Sequence, residues 1–347
     1  MVLSAADINA LEIFETQYLQ LLDPTDLTWP LNEVLRQLDA QTWLYEHLIN
    51  SSNVQYLPPE RYQRRVMKKL FERVESSIQD PNQDELSDDL TSALTTLMAR
   101  NLQPEASAVQ KPSHVTYTFT NSSSRELAVV TLLEFHSLIS TSGTTGLRTW
   151  EAALHFGSYL VSQGKHIIEG KRVLELGAGT GLLSILCAKW LGASHVRATD
   201  GDDGVIEALS SNIFLNGLQE TGRIDARSLK WGRVLDETEE GQQNPVDVVI
   251  GADITYDSRL NPSLISTLRE FFLLNPDLNI FIAAPIRNDE TFSKFNLACE
   301  RNNFEVSEIH FSMPSPAEQL GPFYPTQTPL RIFQITSTAP IGDPFAF

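Results

Sequence analysis

A chain of 347 residues exceeds one average domain, so two units, or one domain with a long extension, is expected. Hydrophobic residues make up 41%, enough for a sizeable core, and the formal net charge is −18. An acidic surface repels phosphate backbones, which sets direct nucleic-acid binding aside and favours a protein or small molecule as partner.

The short basic stretch Arg61, Arg64, Arg65, Lys68 and Lys69 reads as the polar face of a helix. Cys187 and Cys299 both fall in apolar helical runs, giving neither a disulfide framework nor metal-ligand spacing, so no metal is expected. The first stretch carries Asp7, Glu12 and Glu15, unlike a secretory signal, and no apolar run could span a bilayer. A soluble, cytoplasmic monomer with no membrane contact is the expectation.

In chain order, the first hundred or so residues read as helical. Ile8, Leu11, Phe14, Tyr18 and Leu21 recur at helical spacing and Asp23-Pro24 closes the run. Further helices follow Pro30 and Pro58-Pro59 and cover about Leu86 to Met98, with breaks at Asp80-Pro81 and from Asn101 to Pro112. His114 to Thr120 alternates as a strand, and a second apolar run covers Leu127 to Ile139. Asn121 to Ser124 between them suggests a β-hairpin. Thr141 to Gly146 is a small-residue loop.

From Leu147 onward strand-like and helix-like runs alternate, as a doubly wound α/β sheet requires. Strands fit Arg172–Leu176, His195–Thr199, Arg223–Leu229, Val246–Ala252 and Ile280–Ala284. Helices fit Leu182–Leu191, Val205–Leu215 and Leu260–Leu274, and Asp236 to Asn244 is an acidic loop. Phe304–Phe311 and Leu330–Thr336 have no helix between them, which predicts an antiparallel terminal pair. The segments are thus an α-helical domain over 1–110, a hairpin and connecting loop over 111–146, and an α/β domain over 147–347.

The chemistry concentrates at the carboxyl ends of these strands. Glu175-Leu-Gly177-Ala178-Gly179-Thr-Gly181 is a buried strand running into a glycine turn and then a helix. Glycines let the backbone bend sharply and approach a ligand, and the helix start adds free N–H groups. A dinucleotide fingerprint wants a small third residue where this chain has Leu182, and Glu175 would repel a pyrophosphate. Taken alone, Asp200 at the end of the second strand would more often be a helix cap, but in this register after the glycine turn the role of a ribose-binding carboxylate is favoured.

Trp231, after the third strand, suits either adenine stacking or core packing. Trp150 opens a helix with Thr149 as its N-cap, and periodicity alone assigns it to the core. Asp253-Ile-Thr-Tyr256 follows the fourth strand, with no prolines of the kind that mark enzymes methylating planar amide-like nitrogens. An acid and an aromatic suit a cationic or amine target, by charge-assisted bond and cation–π wall; a helix cap and a core tyrosine are the alternative.

These pieces resemble the seven-β-strand methyltransferases, and more narrowly the lysine methyltransferases of methyltransferase family 16, nearest to those acting on elongation factor 2 in a fungal version. The segments that carry it are Thr145 to Leu154, Val173 to Gly181, Asp253 to Tyr256, the tail Phe323 to Phe333, and Leu27-Thr-Trp-Pro30 in the helical region. The resemblance implies a Rossmann-like sheet of order 3-2-1-4-5-7-6, strand seven antiparallel.

It also implies S-adenosyl-L-methionine as cofactor, held by Trp150, Glu175, Gly177, Ala178, Gly179, Asp200, Trp231 and Ala252. Asp253 and Tyr256 become the catalytic Asp-x-x-Tyr element that positions a lysine of elongation factor 2. A small-molecule N- or O-methyltransferase and a non-catalytic cofactor-binding module are the competing readings. The helical domain and the Asp253–Tyr256 pair argue against the first, and the intact glycine turn against the second.

Overall fold

The computed structural model describes residues 3–80, 84–102, 111–121, 126–135, 145–232, 246–287 and 289–338. The acidic loop Asp236–Asn244, most of the Thr141–Gly146 loop and most of the breaks after Asp80 and Asn101 lie outside them. The chain divides into two compact units. One is Met1–Thr118 with Thr131–Leu138 and Leu320–Phe323; the other is Phe119–Val130, Ile139–Gln319 and Tyr324–Phe347.

The first unit is built on helices α1 (Ala5–Leu19), α2 (Asn32–Leu35), α3 (Leu38–Leu48), α4 (Glu60–Ser77) and α5 (Asp88–Ala99). Ser4 and Asp7 cap α1 reciprocally, each side chain accepting the other's backbone N–H, which satisfies two of the donors every helix start exposes. Leu11, Phe14, Tyr18, Leu44, Leu70 and Val74 are fully buried between the helices. Burying such a side chain stabilises by about 1.5–3 kcal/mol. Trp29 packs its ring 5.0 Å from that of Phe14, with the Arg73 guanidinium 4.7 Å from its centroid. The basic stretch is the polar face of α4, with Arg65 paired to Asp23 at 3.0 Å and Lys68 to Glu72 at 4.0 Å. The tail contributes to this unit: Gln20 donates to the Phe323 carbonyl and accepts the Phe323 N–H at 2.8 Å.

Strands β1 (Ser113–Thr120) and β2 (Leu127–Glu134) pair as the expected hairpin. The second run ends at Glu134 rather than Ile139, and residues 136–139 are outside the described ones. Next come α6 (Glu151–Ser162), α7 (Lys165–Ile168), β3 (Arg172–Leu176), α8 (Leu182–Lys189), β4 (His195–Asp200), α9 (Asp203–Leu215) and β5 (Ile224–Ser228). They are followed by β6 (Val248–Ala252), α10 (Asn261–Leu274), β7 (Asn279–Pro285), α11 (Asp289–Arg301), β8 (Phe304–Ile309) and β9 (Leu330–Ser337).

The seven strands lie in the order β5-β4-β3-β6-β7-β9-β8, and only β9 runs antiparallel to its neighbours β7 and β8. Numbered from β3, that is the 3-2-1-4-5-7-6 sheet of the Rossmann-like methyltransferases. Central strands β3 and β6 are buried along nearly their whole length, as strands covered by helices on both faces must be. One side of the sheet packs Leu264, Leu268 and Phe272 of α10 and Phe295 and Cys299 of α11 against Ile280, Ile282 and Ile335. Strand order reverses between β3 and β6, which opens a crevice at their carboxyl ends.

Two local expectations change. The helix begins at Glu151 with Trp150 as its N-cap residue. Thr149 does not cap it; its hydroxyl is buried against the Thr180 hydroxyl at 2.7 Å instead. At the second strand the cap of α9 is Asp202, whose carboxylate accepts from Gly204 and Val205, so Asp200 is not the cap.

Candidate active site

A cavity of about 550 Å³ occupies the crevice, within the range of small-molecule sites. All ten residues singled out from the sequence line it: Trp150, Glu175, Gly177, Ala178, Gly179, Asp200, Trp231, Ala252, Asp253 and Tyr256. Arg148, Leu182, Ile254 and Arg287 also line it.

The floor is the glycine turn after β3. Gly177 and Gly179 have φ of 64° and 55°, a region that disfavours any residue with a Cβ. A Cβ on Gly177 would stand 2.8 Å from the Ile254 side chain, and one on Gly179 3.2 Å from the Gly146 carbonyl. The turn is tied to the next strand twice: Ala178 N–H donates to the Thr199 carbonyl at 2.8 Å, and Gly179 N–H to Asp200 Oδ2 at 3.1 Å. The other Asp200 oxygen accepts the Asp202 N–H at 3.1 Å. Burial still holds the Asp200 carboxyl above its ordinary range, against the pull of these bonds.

Glu175 points into the start of α8. Its Oε2 accepts both the backbone N–H of Ser184 at 2.9 Å and the Ser184 hydroxyl. Burial pushes its pKa up to about 8, only partly offset by Ser184. The carboxyl is therefore largely protonated at neutral pH, and charge repulsion of a pyrophosphate loses its force. Leu182, buried at the third fingerprint position, remains the obstacle to a dinucleotide.

On the opposite wall, Asp253 adopts φ 54°, in the left-handed region that Asp tolerates better than most residues. Its N–H donates to the Ala283 carbonyl at 2.8 Å, which pins it to the end of β7. The side chain is 9% exposed, and Oδ1 is buried without a hydrogen-bond partner among the described residues. Oδ2 lies 3.7 Å from the Arg287 guanidinium. Burial raises the Asp253 pKa to about 6; Arg287 opposes that rise and Glu151 adds to it.

Tyr256 is half exposed at the mouth rather than packed in a core. Trp150 donates its indole N–H to the Thr145 carbonyl at 3.0 Å, and Arg148 and Arg287 approach its ring at 5.4 and 5.9 Å. Trp231 is half-buried, packs against the sheet core and edges the cavity near Gly177.

Sequence reasoning missed Arg287, Glu151 and the Ser184 anchor. An arginine just beyond the fifth strand of a doubly wound sheet is a signal that could have found the first.

Comparison with known proteins points the same way. The family described as Lysine methyltransferase matches residues 133–300. A protein-lysine N-methyltransferase, EFM3, of Chaetomium thermophilum is 48% identical over 92% of this chain and 95% of its own length. EFM3 of Saccharomyces cerevisiae is 32% identical over 58% of this chain and 64% of its own. The human protein-lysine N-methyltransferase EEF2KMT is 30% identical over 55% and 61% respectively. The chain belongs to the lysine methyltransferase family and is an enzyme of protein-lysine methylation.

Proposed function

We infer that the enzyme methylates a lysine of elongation factor 2, with S-adenosylmethionine as donor. The observation that carries the lysine end is Oδ1 of Asp253, buried in the wall of the cavity with no hydrogen-bond partner among the described residues. An orphaned buried acceptor costs about 1–3 kcal/mol, a cost that an incoming amine N–H relieves.

The residues of the crevice fit the cofactor by chemistry. Gly177, Ala178 and Gly179 offer bare backbone, Asp200 an acceptor suited to ribose hydroxyls, and Trp231 a face for adenine, with Trp150 and Ala252 closing apolar sides. Glu175 braces the turn through Ser184. S-adenosylmethionine, when bound there, supplies a methyl group already activated by its sulfonium.

The protein's own work is then positioning and exclusion of water. Asp253 orients the amine and Tyr256 walls it at the mouth. Asp253 is not a general base, because a carboxylate beside a lysine favours the charged form. The choice of substrate rests on the sequence resemblance and is supported by the human relative's name. Translation elongation takes place in the cytoplasm, which is the compartment this reading assigns, and a monomer suffices for it.

The test is transfer from radiolabelled S-adenosylmethionine to purified elongation factor 2, beside a lysate depleted of that factor. One band at the factor, lost in Asp253→Asn, is the expected outcome. Asn tolerates the left-handed backbone, so the variant removes charge without adding strain. A band elsewhere refutes the named substrate, and normal turnover of Asp253→Asn refutes the role of that residue.

A further inference from the structure

Arg287 follows the end of β7 and reaches across the mouth of the cavity. Its Nη2 lies 3.7 Å from Asp253 Oδ2, beyond β6, and 3.9 Å from Glu151 Oε2, on the first turn of α6. The guanidinium is 5.9 Å from the Trp150 ring centroid, and the side chain is half exposed. Neither oxygen is within direct hydrogen-bond distance, so the guanidinium acts as a nearby counter-charge and not as a locked fork. Arg148 shares the Trp150 ring, and among the described residues the other charged side chains lining the cavity are Glu175, Asp200, Asp202 and Lys230.

Two carboxylates facing Arg287, Asp253 in the cavity wall and Glu151 outside the lining residues, present a problem for the chemistry. They attract a lysine, yet they hold it as an ammonium, whose nitrogen has no free lone pair. The reference lysine pKa is about 10.4, and an opposite charge within about 4–6 Å raises it further. A fixed cation at the same distance acts in the other direction.

We propose that Arg287 is a positioning residue for methyl transfer: it neutralises Asp253 and Glu151 so that a docked lysine can give its proton to water and present a neutral amine. The proposal rests on Asp253 as the lysine dock. Arg287 also keeps Asp253 ionised, and the Asp253 carboxyl is raised despite it. Both consequences of losing Arg287 displace the working pH upward.

The experiment follows single-turnover methylation against pH for wild type, Arg287→Gln and Arg287→Lys. The acceptor is whichever protein the wild-type enzyme labels in lysate. The Asp253 carboxyl is titrated in the free proteins by carbon-13 NMR, and binding of S-adenosylhomocysteine is followed by calorimetry. The Gln variant should bind S-adenosylhomocysteine normally and titrate Asp253 at higher pH. Its rate profile should move up by about one pH unit, about tenfold slower below the limb and converging with wild type above it. The Lys variant should follow wild type.

A Gln profile superimposed on wild type, a loss uniform at every pH, or a Lys variant that behaves like Gln overturns the proposal. Asp253→Asn in the same series separates the two failures. If it is inactive while the Gln profile is unmoved, only the role of Arg287 falls; if it turns over normally, the dock falls and Arg287 with it.

Discussion

Gly179 donates its backbone N–H to Asp200 Oδ2 at 3.1 Å, joining the turn after β3 to the last residue of β4. The carboxylate proposed for a ribose is thus already hydrogen-bonded to the glycine turn, with its second oxygen on the Asp202 N–H.

Asp200→Ala is therefore expected to weaken S-adenosylhomocysteine binding by about 10–100-fold, since a hydrogen bond to a charged group contributes about 1.5–3 kcal/mol. Isothermal calorimetry measures this directly. Unchanged affinity would remove Asp200 from the cofactor site.

Gly181 opens α8 at φ 87°, and a Cβ there would come within 2.2 Å of Leu209 Cδ1. Gly181→Ala combines a left-handed backbone cost of about 1–2 kcal/mol with overpacking of about 1–3 kcal/mol. A loss of roughly 2–4 kcal/mol in denaturant unfolding is expected, eased by any retreat of the Leu209 tip. A loss under about 1 kcal/mol would show that the turn readjusts freely.

Glu175 has a pKa near 8, raised by burial above its unfolded value. Between about pH 4.5 and 8 the folded state holds more protons than the unfolded one, so this group makes stability fall as pH rises. Below that window both states are protonated and the effect vanishes; above it the penalty is complete. Glu175→Gln should gain on wild type progressively across that window, on the order of 1.4 kcal/mol for each pH unit crossed. Its amide oxygen can still accept from Ser184. Parallel stability–pH curves for the two proteins would contradict the buried-acid account.

Burial raises the Asp253 pKa to about 6, so the carboxylate proposed to dock the amine is lost as pH falls through that value. Activity at subsaturating acceptor falls with pH as the amine is protonated; below about pH 6 it should fall more steeply, and that added steepness should be absent from any residual activity of Asp253→Asn. A profile of kcat/KM against pH for both proteins decides it.

Local signals in the sequence were enough for the element order. The alternating run His114–Thr120 and the short continuous apolar runs became strands, period-3.6 runs became helices, and the glycine triplet located the turn, because each depends on residues within a few positions of one another. The strand order came from the resemblance and is the one observed, β9 antiparallel included. The ten candidate residues share one cavity because each lies in the last two residues of a strand or just beyond its carboxyl end, or caps the helix beside it, and a doubly wound sheet brings those points together.

Tertiary structure decided what depends on distant partners. Thr149 finds Thr180 and gives up its cap, Glu175 finds Ser184 and a pKa near 8, and Gln20 brackets the backbone of Phe323. Arg287 meets Asp253 and Glu151 from a third element. Burial and long-range approach set these states, and neither is a property of a short stretch of chain: the sequence determined which groups are present, and the fold determined what charge each carries and which partner it meets.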